Sequence, residues 1–246
     1  MPEPPMPEPP MPEPMSPDLP LQHGLFGRLR QDAGSDWNRY VDHRFVRALG
    51  NGTLPRPAFQ HYLKQDYLFL IQFARAYALA GYKSATPAEL RAAAAAVSNI
   101  VDVEMPLHVG YCAEWGLSEA DMQAEPEALE TIAYTRFVLE RGLAGDRLDL
   151  EAALIPCLVG YAEIAARLRA DPTTQTQGNS YAAWIDAYAS PDYVAFAARA
   201  ILAMEGMGQA RGAAARYADL LATFRTACRL ETAFWEMGWS AGVSPC

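Results

Sequence analysis

Residues 57–77 read PAFQHYLKQDYLFLIQFARAY. At 3.6 residues per turn, Phe59, Tyr62, Asp66, Leu70, Phe73 and Tyr77 share one face of a helix. Asp66 interrupts that stripe, which is informative because an ionised group without a partner is costly to bury. Two later stretches repeat the pattern. Residues 212–240 place Tyr217, Leu220, Phe224, Cys228, Glu231, Trp235 and Gly238 on one face, with Glu231 as the interruption. Residues 147–170 align Leu150, Leu154, Cys157, Tyr161, Ile164 and Leu168. Three helices thus turn two carboxylates and a thiol toward a common interior, where Tyr134, Tyr161 and Tyr188 can join them.

Working outward, the rest of the chain from residue 21 is also helical in pattern. Helices are expected near 24–33, 35–49, 57–84, 87–115, 119–124, 127–142, 147–170, 179–188, 191–208 and 212–240. Thr86-Pro87-Ala88-Glu89, Ser118-Glu119-Ala120-Asp121 and Ser190-Pro191 have the form of helix starts, and Asn51-Gly52 and Gly178-Asn179 mark turns. No stretch alternates with period two long enough to make a strand. Long helices with short connections give an all-α, single-domain helix bundle over 21–246. Residues 1–20 stand apart: MPEPP, MPEPP and MPEPM repeat, and ten of the 19 prolines fall there. That density excludes helix and sheet and is read as a disordered, polyproline-like leader.

Composition narrows the function classes. With 51% hydrophobic residues the chain of 246 can build a full core, and its net charge of −9 lacks the basic face that nucleic acid or anionic lipid requires. Neither a basic-then-apolar secretory leader nor a run of eighteen apolar residues is present. Four scattered cysteines, Cys112, Cys157, Cys228 and Cys246, form no C-x-x-C pair. A reduced, cytoplasmic compartment is the default expectation, with a small molecule as the partner.

Each polar residue on an apolar stripe also has an ordinary reading. A buried carboxylate is commonly a structural acceptor, a buried cysteine a small hydrophobe, and a buried tyrosine a core residue with one hydrogen bond. It is their joint occurrence that points to chemistry. Pro156, inside a helix pattern, frees the carbonyl of Ala152 and aims the following Cys157 into a cavity, unless the helix simply restarts there. Glu104 and His108, one turn apart, suit the start of a di-iron site. The other three histidines, His23, His43 and His61, lie near the N-terminus, so a buried Glu104–His108 hydrogen bond is the favoured reading.

At these same residues the sequence resembles the TenA family, the thiaminase II enzymes of the haem-oxygenase-like helical superfamily. The resemblance is carried by His43-Arg44-Phe45-Val46, Gly50-Asn51-Gly52-Thr53-Leu54-Pro55, Tyr62-Leu63-Lys64-Gln65-Asp66-Tyr67, Glu104-Met105-Pro106-Leu107-His108, Ala133-Tyr134-Thr135, Leu154-Ile155-Pro156-Cys157, Tyr161-Ala162-Glu163-Ile164 and Glu231-Thr232-Ala233-Phe234-Trp235-Glu236-Met237. It spans residues 22–240 in the family's order.

The resemblance implies that Cys157 is the nucleophile, Asp66 holds an aminopyrimidine ring, and Glu231 gives and takes protons. It implies further that Tyr134, Tyr161 and Tyr188 line the pocket. Phe69 stands at a substrate-facing position where some members have tyrosine, and Val159 where many have tryptophan. Implied too are an aminopyrimidine aminohydrolase (thiaminase II) activity in thiamin salvage, a homotetramer, and neither metal nor organic cofactor. The chemistry of the residues agrees. One carboxylate can grip a ring nitrogen and an exocyclic amine, aromatic walls suit a flat heterocycle, and thiolate addition makes the methylene substituent expellable once an acid protonates it. The rival readings are an oxidative enzyme of the same superfamily, di-iron or PqqC-like, and a pyrimidine-binding or regulatory protein without catalysis.

Overall fold

The computed structural model describes residues 19–175 and 177–243. The proline-rich leader therefore lies outside the described residues except for its last two, as does Cys246. Twelve α-helices are described: α1 (Gly24–Ala33), α2 (Ser35–Val41), α3 (Arg44–Gly50), α4 (Arg56–Tyr82), α5 (Pro87–Ser98), α6 (Met105–Glu114), α7 (Glu119–Ala124), α8 (Leu129–Ala144), α9 (Arg147–Ala170), α10 (Ala182–Tyr188), α11 (Pro191–Ala210) and α12 (Tyr217–Val243). Among the described residues there is no strand.

Three boundaries depart from the spacing, each for a local reason. The helix expected over 35–49 is two, because His43 is extended and caps α3, its Nδ1 accepting from the Phe45 amide at 3.2 Å. The helix expected over 87–115 passes through a π-helical turn at Asn99–Glu104 before α6. The last helix starts at Tyr217, behind a 3₁₀ turn at Ala213–Arg216 that follows Gly212 at φ 64°. The expected starts at Ser118 and Ser190 are made: Ser118 and Asp121 form a capping box, and the Ser190 hydroxyl accepts from Tyr193. Thr86 caps Glu89 as expected, while the Glu89 carboxylate reaches back to the Ala85 amide.

Helices α4, α8, α9 and α12 pack on one another around a shared core, with α5 and α6 outside α4, and α10 and α11 outside α9. Helix α9 is the axis. From Arg147 to Ala165 every residue is buried except Cys157, which is half-buried. Pro156 lies within this continuous helix rather than at a restart. Close packing here depends on Gly160, where a Cβ would collide with the ring of the fully buried Tyr40. Buried charge on α9 is compensated. Burial opposes ionisation of Glu163, but Arg30 at 2.7 Å and Arg167 outweigh it and hold the carboxyl below its usual range, while Trp37 Nε1 donates at 3.1 Å.

Candidate active site

Helix geometry sets pairs of side chains one turn apart on each wall of the interior: Tyr62 and Asp66 on α4, Cys157 and Tyr161 on α9, Glu231 and Trp235 on α12. Helix α8 adds Tyr134, α10 adds Tyr188, and α6 adds His108. The packing of α4, α9 and α12 turns these pairs toward one another.

Glu231 is 1% exposed, and its Oε1 accepts from the Tyr134 hydroxyl at 2.8 Å. The Cys157 thiol is hydrogen bonded to the same carboxyl. Burial pushes Glu231 up to about 8, against the pull of those two hydrogen bonds. Burial also drives Cys157 well above the usual thiol value, with Glu231, Asp66 and Glu104 adding to the effect. At neutral pH this is a thiol in contact with a carboxyl group able to give or take its proton.

Asp66 lies on the opposite wall, 7% exposed, with its pKa pushed up to about 7 by burial while the Tyr62 hydroxyl bonds to it. Aromatic rings fill the space between. The ring of Phe69 lies 5.0 Å from that of Tyr134, and Tyr161 lies 4.9 Å from Tyr188 and 5.3 Å from Trp235. Trp184 Nε1 donates to the Tyr62 hydroxyl at 3.2 Å, fixing the residue that in turn holds Asp66.

Cys157, Glu231, Asp66, Tyr134, Tyr161 and Tyr188 thus face one interior, with Phe69 stacked on its wall. Val159, two residues past the cysteine, is fully buried in the core. The hydrogen bond expected between Glu104 and His108 is not what their surroundings favour. His108 directs Nε2 at the Leu63 carbonyl and Nδ1 toward Asp66. Glu104 is half-buried at the end of the π turn, and burial, with the Asp66 charge adding, lifts it to about 7. Among the described residues no three His, Cys, Asp or Glu side chains group to hold a metal ion.

Sequence reasoning left Tyr62, Trp184 and Trp235 unassigned. Tyr62 had a signal, one turn before Asp66 on the same stripe. Trp184 had none, because only the docking of α10 on α9 carries it to Tyr62.

Comparison with known proteins gives the same frame. The sequence matches the TENA/THI-4/PQQC family over residues 30–241. The chain belongs to this family. An uncharacterized protein of Haemophilus influenzae is 38% identical over 214 residues, covering 87% of this chain and 98% of its own. An aminopyrimidine aminohydrolase of Halalkalibacterium halodurans is 33% identical over 213 residues, covering 86% of this chain and 94% of its own. A crystal structure from Silicibacter sp. TM1040, described as a TenA family transcription regulator, superposes with a TM-score of 0.83 at 45% identity, covering 89% of this chain and 99% of its own. The all-α, haem-oxygenase-like architecture of the family is that of this family member. No described helix is long and apolar enough to cross a membrane.

Proposed function

We propose that this family member is an aminopyrimidine aminohydrolase of thiamin salvage. It converts 4-amino-5-aminomethyl-2-methylpyrimidine to the 5-hydroxymethyl compound and cleaves thiamin weakly. The supporting observation is the hydrogen-bonded set Tyr134–Glu231–Cys157 facing Asp66 across aromatic walls. The relative from Halalkalibacterium halodurans carries that activity in its name.

In this reading Asp66 grips the ring nitrogen and exocyclic amine, while Phe69, Tyr161 and Tyr188 hold the flat ring. Glu231 takes the Cys157 proton as sulfur bonds to a ring carbon, and the displaced electron pair moves onto the ring nitrogen. Glu231 then protonates the aminomethyl nitrogen, the C–N bond breaks, and ammonia leaves. Water adds to the exposed methylene and returns its proton to Glu231. Expulsion of the thiolate restores the aromatic ring. Tyr134 keeps the Glu231 carboxyl oriented between the sulfur and the leaving group. The cycle uses only these side chains and water.

The proposal extends to a catalytic domain over 21–246, with 1–20 as an appended leader, residence in the cytoplasm, and assembly as a homotetramer. Exposed Leu90, Val101, Val103 and Leu107 along the α5–α6 segment offer apolar surface for a second copy to cover.

Incubation of purified protein with the aminomethyl-aminopyrimidine, and separately with thiamin, tests the reading. Product mass should show ammonia exchanged for water. Binding of the pyrimidine without conversion would favour instead a regulatory role, such as the Silicibacter neighbour's description states for that protein.

A further inference from the structure

Leu63 and Asp66 sit one turn apart on α4, and both meet His108 of α6. His108 Nε2 lies 2.9 Å from the Leu63 carbonyl oxygen, and Nδ1 lies 3.5 Å from Asp66 Oδ2. A carbonyl oxygen only accepts, so Nε2 carries a hydrogen and donates it. A neutral imidazole has just that one N–H, which leaves Nδ1 as a lone pair turned toward a carboxyl group. Two acceptors face to face repel, and one proton between them removes the repulsion. Both side chains are only 10% exposed, so bulk water does little to relieve the pair.

The surroundings favour that proton. Burial pushes Asp66 up and His108 down, so each prefers its uncharged form. The other titratable groups coupled to Asp66 are Tyr62 on α4, Glu104 on the π turn, Cys112 on α6, Cys157 and Tyr161 on α9, Tyr188 on α10 and Glu231 on α12. All are acids, and none supplies a positive charge to hold Asp66 ionised.

We propose that His108 is a positioning residue for Asp66, the two side chains holding one proton between Nδ1 and Oδ2 that Asp66 lends to the ring nitrogen of a bound aminopyrimidine. The proposal rests on the functional reading above. An aminopyrimidine edge presents a ring-nitrogen acceptor beside an N–H donor. A protonated carboxyl presents an O–H beside a C=O and matches it, whereas an ionised carboxylate sets an acceptor against the ring nitrogen. When the Asp66 O–H bond breaks and the ring N–H bond forms, the ring becomes cationic and its carbon more open to sulfur attack. The attraction between that cationic ring and the Asp66 carboxylate offsets the repulsion from the Nδ1 lone pair while the substrate is bound. On product release the proton returns to Oδ2, beside Nδ1, with no net gain or loss.

The test uses full-length protein labelled with ¹⁵N-histidine and ¹³C-carboxyl aspartate. The Asp66 carbon is assigned by its loss in Asp66→Asn, and His108 Nδ1 by its loss in His108→Gln. The two signals are expected to titrate with one common midpoint. An Nδ1 signal that stays constant through the Asp66 step overturns the shared proton. That result does not depend on turnover, so it stands even if the pyrimidine proves not to be the substrate. His108→Gln keeps a donor in reach of Leu63 and removes Nδ1. It is expected to lower kcat/KM about tenfold, the loss of one good hydrogen bond, and to move its alkaline limb to lower pH. A folded His108→Gln protein with an unchanged kcat/KM and pH profile would equally overturn the assignment.

Discussion

Glu231 and Asp66 are both buried carboxyl groups, yet their neighbours assign them different work. Glu231 touches the thiol and a tyrosine hydroxyl, so Glu231→Gln is expected to lower kcat by about 100- to 10,000-fold and flatten its pH dependence. Asp66 bonds to the Tyr62 hydroxyl and not to the thiol, so Asp66→Ala should raise KM as well as lower kcat, whereas Glu231→Gln should act chiefly on kcat; steady-state kinetics on both variants separates the roles. Cys157→Ser should keep the fold and lose nearly all turnover, whereas serine at the buried Cys112 or Cys228 should leave the folded protein active. Stability gives a second reading of Glu231. Its folded pKa of about 8 lies above the ordinary 4.5, so folding favours the protonated form. That contribution is complete below about pH 4.5 and is lost as pH rises through 8, at up to about 1.4 kcal/mol per pH unit. Melting temperatures at pH 6 and pH 9 should therefore differ less in Glu231→Gln than in the parent. An equal difference would show that Glu231 is ionised in the folded state.

Helix α9 shows how one element can carry both the core and the site. Its sequence gives an apolar stripe, but from Arg147 to Ala165 the helix is buried on all sides apart from Cys157, and Arg147, Glu151 and Glu163 are matched by partners from α1 and from its own turns. Gly160 is the position where packing overrides propensity. Alanine in place of glycine ordinarily stabilises a helix interior by about 1 kcal/mol. Here the new Cβ would meet the Tyr40 ring, whose hydroxyl donates to the Pro156 carbonyl at 3.3 Å, the residue just before Cys157. Gly160→Ala is expected to destabilise by about 1–3 kcal/mol instead, read as a lower midpoint in urea. An unchanged or higher midpoint would mean that α9 can shift away from Tyr40.

At the scale of the whole molecule, the apolar surface of the α5–α6 segment bears on assembly. Leu107 is 69% exposed and shares its segment with the exposed Leu90, Val101 and Val103. Light scattering should return the mass of a tetramer for the parent chain and of a smaller species for Leu107→Asp. A monomeric parent would remove the assembly from the proposal. A chain beginning at residue 19, which keeps Leu19 packed against the core, should match the full chain in turnover and melting temperature.

The helical class, most helix boundaries and the two interrupted stripes were determined by the sequence alone, because spacing and capping act within a few residues along the chain. Asp66 and Glu231 could be picked out for the same reason: a charge on an apolar face is a local anomaly. The division at His43 and the π turn at Asn99–Glu104 were not legible, because neither an extended histidine cap nor a π turn interrupts the apolar spacing on which the reading rests. The partners of His108 were decided only by tertiary structure. Glu104 is its neighbour by helical spacing, yet α6 docks against α4 so that the imidazole meets Leu63 and Asp66, some forty residues earlier. Spacing specifies which side chains share a face. Only the packing of one face on another specifies which atoms meet, and with them the direction of each hydrogen bond and the burial that shifts each pKa.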